Sequence, residues 1–411
     1  MSNSVKKLDY IPGLDGIRAL AALLVISTHW PNNSLSLKFG WVGVNIFFVL
    51  SGFLITRILI NSKILNIKTY LSSFFYKRAL RIFPVYYLFL AVMALLITGL
   101  ALIPQLAQNE ILQPGLNAVK RDMPYYLTYT YNIKLNLRHV LNLPDSSNQF
   151  FGHLWSLSLE EQFYLIFPFI VYFSSINTLK KIVIALIVIC PLIRLWAATI
   201  GVSMIADKYW LGELMYTNTL CQADALAMGA ALALFPINIK FPRRSFIIAF
   251  TVWLVVGLIC FFFLRRAGYF LVAGKSFGYD FPGFWFDEKT PYFLINIRAA
   301  YQYTLVNILA YFLIMPATIK KPLFPVLFQS KIMTYLGKIS YGIYLFHNPL
   351  IAFFMLAATF AGGWFPLTEN PIIHVGVFIL YLSVVIGLAH LSYQYFELKI
   401  MHRFKYKYAN E

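Results

Sequence analysis

Ionisable side chains recur inside, or at the edges of, long apolar runs: Asp15, Arg18, His29, Glu160, Glu161, Arg194, Asp224, Arg298, His347, His374, His390 and Glu397. Such a group in a lipid-spanning helix costs at least about 2.5–3.5 kcal/mol, so it turns towards a partner or a polar cavity. His29 carries a ring that titrates near neutrality and serves as a base at working pH. It follows Arg18 by eleven positions, about 16 Å along a helix. Glu160, near the outer start of a later span, is expected at the depth of His29. A carboxylate bonded to the second ring nitrogen would fix the tautomer and stabilise the imidazolium. Arg78 and Arg81, three residues apart, share a helix face, and guanidinium geometry suits phosphates. The pattern points to a cationic mouth for phosphates at one end and proton chemistry nearer the other. Plainer readings exist for each part. A histidine in a span is often a helix–helix hydrogen bonder, and arginines beside a span often mark its cytoplasmic flank. A transporter with a polar midplane site would carry the same groups.

The elements that position these residues follow from composition. Of 411 residues, 60% are hydrophobic and 12% charged, against about 25% charged in soluble domains. A soluble fold this apolar would expose large greasy patches, so the expected solvent is a bilayer. Runs long enough to span it are Leu14–Trp30, Trp41–Ile60, Ile82–Ile103, Leu157–Phe173, Ile182–Ala198, Thr217–Phe235, Phe246–Leu264, Leu294–Met315, Ser340–Ala361 and Ile372–Leu391. The fold class is therefore all-α, a polytopic transmembrane helix bundle of about ten spans. With the N-terminus inside, most Lys and Arg fall in cytoplasmic loops and in the C-terminal tail, which favours an N-in, C-in arrangement. Arg265 and Arg266 are exceptions.

That topology accounts for the net charge of +18 without nucleic acid. The start of the chain reads as a retained cytoplasmic tail and not a signal peptide. Cys190, Cys221 and Cys260 lie in apolar runs with no C-x-x-C pair, so neither a disulfide framework nor a metal site is expected. The stretch from Pro104 to Gly152, with Tyr125, Tyr126 and Tyr129 to Tyr131, is expected outside, partly at the interface. The Gly- and aromatic-rich loop from Arg265 to Tyr292 is also expected outside.

Five ordered motifs, from about Asp9 to Glu397, resemble the bacterial acyltransferase 3 family. The Leu14-Asp15-Gly16-Ile17-Arg18 run with Thr28-His29 is similar to its Arg and His separated by ten residues. Phe47-Phe48-Val49-Leu50-Ser51-Gly52-Phe53 matches a second motif, and Arg78-Ala79-Leu80-Arg81 its Arg-x-x-Arg. Trp155-Ser156-Leu157-Ser158-Leu159-Glu160 matches a fourth, and Ser340-Tyr341-Gly342-Ile343-Tyr344-Leu345-Phe346-His347 a late-span motif.

The resemblance implies a membrane O-acyltransferase of the bacterial inner membrane. It would move an acyl group, commonly acetyl, from acetyl-CoA or another acyl-CoA to a hydroxyl of an extracytoplasmic glycan such as O-antigen lipopolysaccharide, capsule or exopolysaccharide. It implies a catalytic role for His29, with Glu160 (or its neighbour Glu161) and Arg18 assembling the site. Arg78 and Arg81 would hold the CoA donor; Tyr341 and His347 would line the donor channel or brace helices. Gly52 and Ser51 are expected to permit close helix packing. Implied partners are membrane lipid, acyl-CoA, the glycan and a partner enzyme of a polysaccharide pathway. Residues 1–396 would form the acyltransferase domain and 397–411 a basic cytoplasmic tail, with no appended esterase-like domain. Gln222, two residues before Asp224, stands where many members carry Arg, which puts a charge role there in doubt. The alternative is a multi-span transporter of a glycan, lipid or small molecule, which the ordered motifs and the lack of an internal repeat disfavour.

Overall fold

A computed structural model describes residues 8–31, 39–141, 148–199, 211–235, 240–266, 292–319, 321–360 and 371–405. Most of the Arg265–Tyr292 loop and the ends of the chain lie outside the described residues, as do the side chains of Cys260 and Arg298. Every described element is helical.

Helix α1 (Pro12–His29) has Pro12 in its first turn, where its missing N–H is no loss. It stops at His29, two residues before Pro31, which cannot continue a helix. Helix α2 (Val42–Ser62) follows. The Asn66 side chain accepts from Thr69 N–H and starts α3 (Ile67–Ala101), 35 residues long. At 1.5 Å per residue this is about 52 Å, well beyond a hydrocarbon core of about 30 Å. No helix breaker stands before Pro84, so Arg78 and Arg81 lie inside one continuous helix, and not ahead of a span that starts at Ile82.

The polar stretch after α3 folds as short helices: α4 (Leu112–Asn117), α5 (Met123–Leu127) and α6 (Tyr131–Leu141). Tyr126, Tyr129 and Tyr131 are buried there; Tyr126 packs on Tyr131, and Tyr129 stacks on Tyr86 of α3. Then come α7 (Trp155–Phe173), α8 (Ile176–Thr199), α9 (Leu211–Thr217), α10 (Thr219–Leu234), α11 (Pro242–Arg266) and α12 (Tyr292–Thr318). The chain continues through α13 (Pro325–Phe328), α14 (Lys331–Lys338), α15 (Ser340–Phe360), α16 (Pro371–Ser392), a π-helical turn at Tyr393–Glu397, and α17 (Leu398–Lys405).

Five segments are long and apolar enough to cross a membrane: α2, α3, Ile176–Ala197 of α8, Ser340–Ala357 of α15, and Ile372–Phe404. Leu95, Val188, Leu192, Ile379 and Leu380 stand exposed on α3, α8 and α16, as lipid-facing side chains do. Helices α1 and α7 are equally long but turn polar residues inwards, which lowers their apolarity without removing them from the bundle.

The interior is built on α2 against α10. A Cβ on Gly52 would lie 2.0 Å from the Leu226 carbonyl oxygen, and one on Gly229 2.0 Å from that of Val49. The two backbones therefore touch reciprocally, as small residues permit. Several polar side chains in this core pair with one another. Arg194 of α8 grips both carboxylate oxygens of Asp224, at 2.8 and 3.1 Å, and donates to Thr304 at 2.6 Å. Asn45 bridges Gln222 and Asn307 at 3.2 and 2.8 Å. Gln222 thus belongs to an amide network, and the guanidinium beside Asp224 comes from a neighbouring helix.

Candidate active site

A cavity of about 900 Å³, counted with its open mouth, lies between α1, α2, α3, α7 and α15. Each helix contributes one face at helical spacing. Helix α3 supplies Arg78, Arg81 and Ile82; α7 supplies Ser156, Glu160 and Tyr164, four residues apart. Helix α2 gives Phe47, Ser51 and Leu54, α15 gives Ser340, Tyr341 and Tyr344, and α1 gives Arg18. Arg18, Arg78 and Arg81 therefore converge on a space that also holds Glu160 and Glu161. Three arginines against two carboxylates leave the cavity with an excess of cationic groups, which an anion would offset.

Two of the cations are individually held. Arg18 donates to Asp15 at 3.1 Å, and Asp15 accepts from the Tyr10 hydroxyl at 2.5 Å. Burial, and then that hydrogen bond, push the Tyr10 hydroxyl up to about 12, so it remains a donor. Arg78 lies over the Tyr164 ring, 5.4 Å from its centroid. Ser51 and Tyr164 hydroxyls bond each other and face Glu160. Ser51 thus lines the cavity, while its neighbour Gly52 serves the packing against α10. Glu161 lines the same cavity as Tyr341. Tyr129 has a left-handed backbone, φ 53°, a conformation costing about 1–3 kcal/mol outside glycine. Its ring stacks on Tyr86 with centroids 4.4 Å apart.

His29 lies at the other end of α1 and is not paired with Glu160. Its Nδ1 donates to the Val25 carbonyl at 2.8 Å, and its ring stays exposed. Its neighbours are imidazoles: the His347 ring at 5.0 Å, T-shaped, and beyond it His153, 5.1 Å from His347. The expected pair fails for a geometric reason. A 3-10 turn at Gly152–Leu154 precedes α7 and brings His153, rather than Glu160, towards the end of α1. Glu160 lies seven residues on, about 10 Å further along the helix.

His347, expected to line the donor channel or to brace helices, lies beside His29. Tyr344 links the two regions: it lines the cavity, donates to the His153 carbonyl at 3.0 Å, bonds Ser156 Oγ at 2.5 Å, and has its ring 5.4 Å from that of His347. His153 is held by sequence-encoded chemistry. Pro349 has no N–H to give the Leu345 carbonyl four residues back, and that carbonyl accepts from His153 Nε2 at 3.0 Å. Among the described residues no group of three or more His, Cys, Asp or Glu could hold a metal ion, so the three rings do not form one.

Residues 11–391 match the Acyl_transf_3 family, described as an acyltransferase domain. The chain belongs to this acyltransferase family. It is also similar to O-acetyltransferase OatA of Staphylococcus aureus, strains NCTC 8325 / PS 47 and COL. Each is 28% identical over 400 residues, covering 95% of this chain and 57% of the relative. The chain thus spans less than two thirds of the length of these relatives. No solved structure matches it. Within the family frame, the residues that sequence reasoning missed are Ser156, Tyr164, Tyr344, His153 and Tyr129. Helical periodicity carries a signal for two of them, since Ser156 and Tyr164 flank Glu160 at four-residue spacing on either side.

Proposed function

We propose that the chain is a membrane O-acyltransferase. It takes an acyl group, acetyl in the simplest case, from acyl-CoA and transfers it to a hydroxyl of an extracytoplasmic glycan. The observation that carries this reading is the convergence of Arg18, Arg78 and Arg81 on one cavity in a chain of the acyltransferase family. Guanidinium groups suit the phosphates of a CoA donor. The apolar and hydroxyl-bearing wall of Phe47, Ser51, Ser156, Tyr341 and Tyr344 suits a thioester-bearing arm.

The reading includes a topology of about ten spans with both termini inside, in the bacterial inner membrane. The cationic mouth then faces the cytoplasm, where acyl-CoA is made, and His29 faces the other side. The acceptor oxygen attacks the thioester carbonyl carbon, the new C–O bond forms, the C–S bond breaks, and CoA leaves as thiolate. His29 takes the hydroxyl proton on Nε2, because Nδ1 is committed to Val25. The backbone carbonyl thus fixes the tautomer, the task a carboxylate performs in other acyl-transfer sites.

The test uses membranes of cells expressing the full chain, supplied with labelled acetyl-CoA. Alkali-labile label should appear in the glycan fraction with wild type and fall to background with His29→Ala. Equal label in a well-folded His29→Ala protein would end the assignment, and counterflow of a glycan without CoA release would favour a transporter.

A further inference from the structure

His347 and His153 are buried, at 0% and 4% exposure, yet each keeps a ring nitrogen without a hydrogen-bond partner: Nε2 of His347 and Nδ1 of His153. Leaving a buried polar atom unmade costs about 1–3 kcal/mol, and such atoms call for an explanation. The other nitrogen of each ring is committed to a backbone carbonyl, Tyr344 at 2.5 Å for His347 and Leu345 at 3.0 Å for His153. His29 repeats the pattern with Val25. Each ring thus gives an N–H to the backbone, and in its neutral form keeps an imine lone pair on the other nitrogen. Among the described residues no carboxylate is hydrogen-bonded to any of them. The other titratable groups beside His347 are phenols: Tyr344 on its own helix, and Tyr381 of α16, which donates to the His347 carbonyl at 2.9 Å.

We propose that His347 is a positioning residue for the transfer reaction, sharing with His29 the proton removed from the acceptor hydroxyl, with His153 behind it. This rests on the acyltransferase reading above. When His29 takes the proton it becomes an imidazolium with no carboxylate bonded to it, beside the buried His347 ring. The lone pair of His347 accepts a hydrogen bond from the new Nε2–H, so the charge is held by two rings instead of one. Neutral imidazoles are the fitting partner here. They do not repel a neutral sugar hydroxyl, and they create a strong hydrogen bond only once the proton has moved, which favours the transition state over the ground state. The proton then returns through His29 to the CoA thiolate, so the cycle closes with CoA as the free thiol and both rings neutral.

The experiment follows release of free CoA from acetyl-CoA, with water as acceptor, by the purified full chain in lipid nanodiscs from about pH 5 to about pH 9. Wild type is compared with His347→Gln, which keeps a polar side chain but cannot carry the proton. The expected result is a fall in kcat of about 10²-fold, KM for acetyl-CoA unchanged within about twofold, and an altered acidic limb of the pH profile. Unchanged kcat and pH limb in His347→Gln, with wild type active, would overturn the proposal and leave the acyltransferase reading standing. No CoA release and no glycan label from wild type would instead defeat that reading. If His347→Gln fails to fold, rates of wild type in mixtures of light and heavy water decide. A bowed dependence, from more than one proton in motion, supports the shared proton, and a linear one overturns it.

Discussion

The two ends of the site solve opposite problems. At one end three arginines and two glutamates border a single cavity. At the other, three imidazoles are stitched to backbone carbonyls with no carboxylate bonded to them. The first is charged and open; the second is neutral and, apart from His29, sealed. A charged end recruits an anion, whereas a neutral end lets an uncharged hydroxyl approach and develops charge only during reaction. Tyr344 belongs to both ends: it lines the cavity and its ring lies against that of His347. A further contrast lies within the core, where Arg194 and Asp224 are both fully buried and satisfy each other. Buried pairs of that kind brace a fold, while the cavity arginines line an open space.

These contrasts can be broken in order of expected effect. His29→Ala should lower acyl transfer by about 10²- to 10⁴-fold, read by CoA release under saturating acetyl-CoA. Asp224→Ala leaves Arg194 as an uncompensated buried charge, so it should destabilise the fold by about 3–5 kcal/mol, read by thermal unfolding in detergent. A variant as stable as wild type would mean that the sealed pair does not brace the bundle. Arg78→Ala should leave stability near wild type and weaken acetyl-CoA binding by about 10- to 100-fold, the size of one or two charge-assisted hydrogen bonds. Gly52→Ala should cost about 1–3 kcal/mol through overpacking of α2 on α10, with acetyl-CoA affinity little changed.

Much of this was legible in the sequence, for identifiable reasons. Arg78 and Arg81 share a helix face by spacing alone, and Tyr341 enters with its motif. Arg194 and Asp224 betrayed themselves as charges in apolar runs, but pairing across helices 30 residues apart in sequence leaves no local mark. The His29–Glu160 pair was misread because counting from the start of a span ignores the 3-10 turn that carries His153. His153 itself depends on the carbonyl released by Pro349, a contact between segments nearly two hundred residues apart. The length of α3 was missed because its first half, from Ile67 to Arg81, is too polar to register as lipid-spanning, although nothing in it breaks a helix.

The central claim, that donor binding and proton chemistry occupy separate ends of one site, is tested most directly by equilibrium binding of labelled acetyl-CoA to wild type, His29→Ala and Arg78→Ala. The account predicts wild-type affinity for His29→Ala and a loss of about 10-fold or more for Arg78→Ala. Equal losses in both variants, or none in Arg78→Ala, would contradict it.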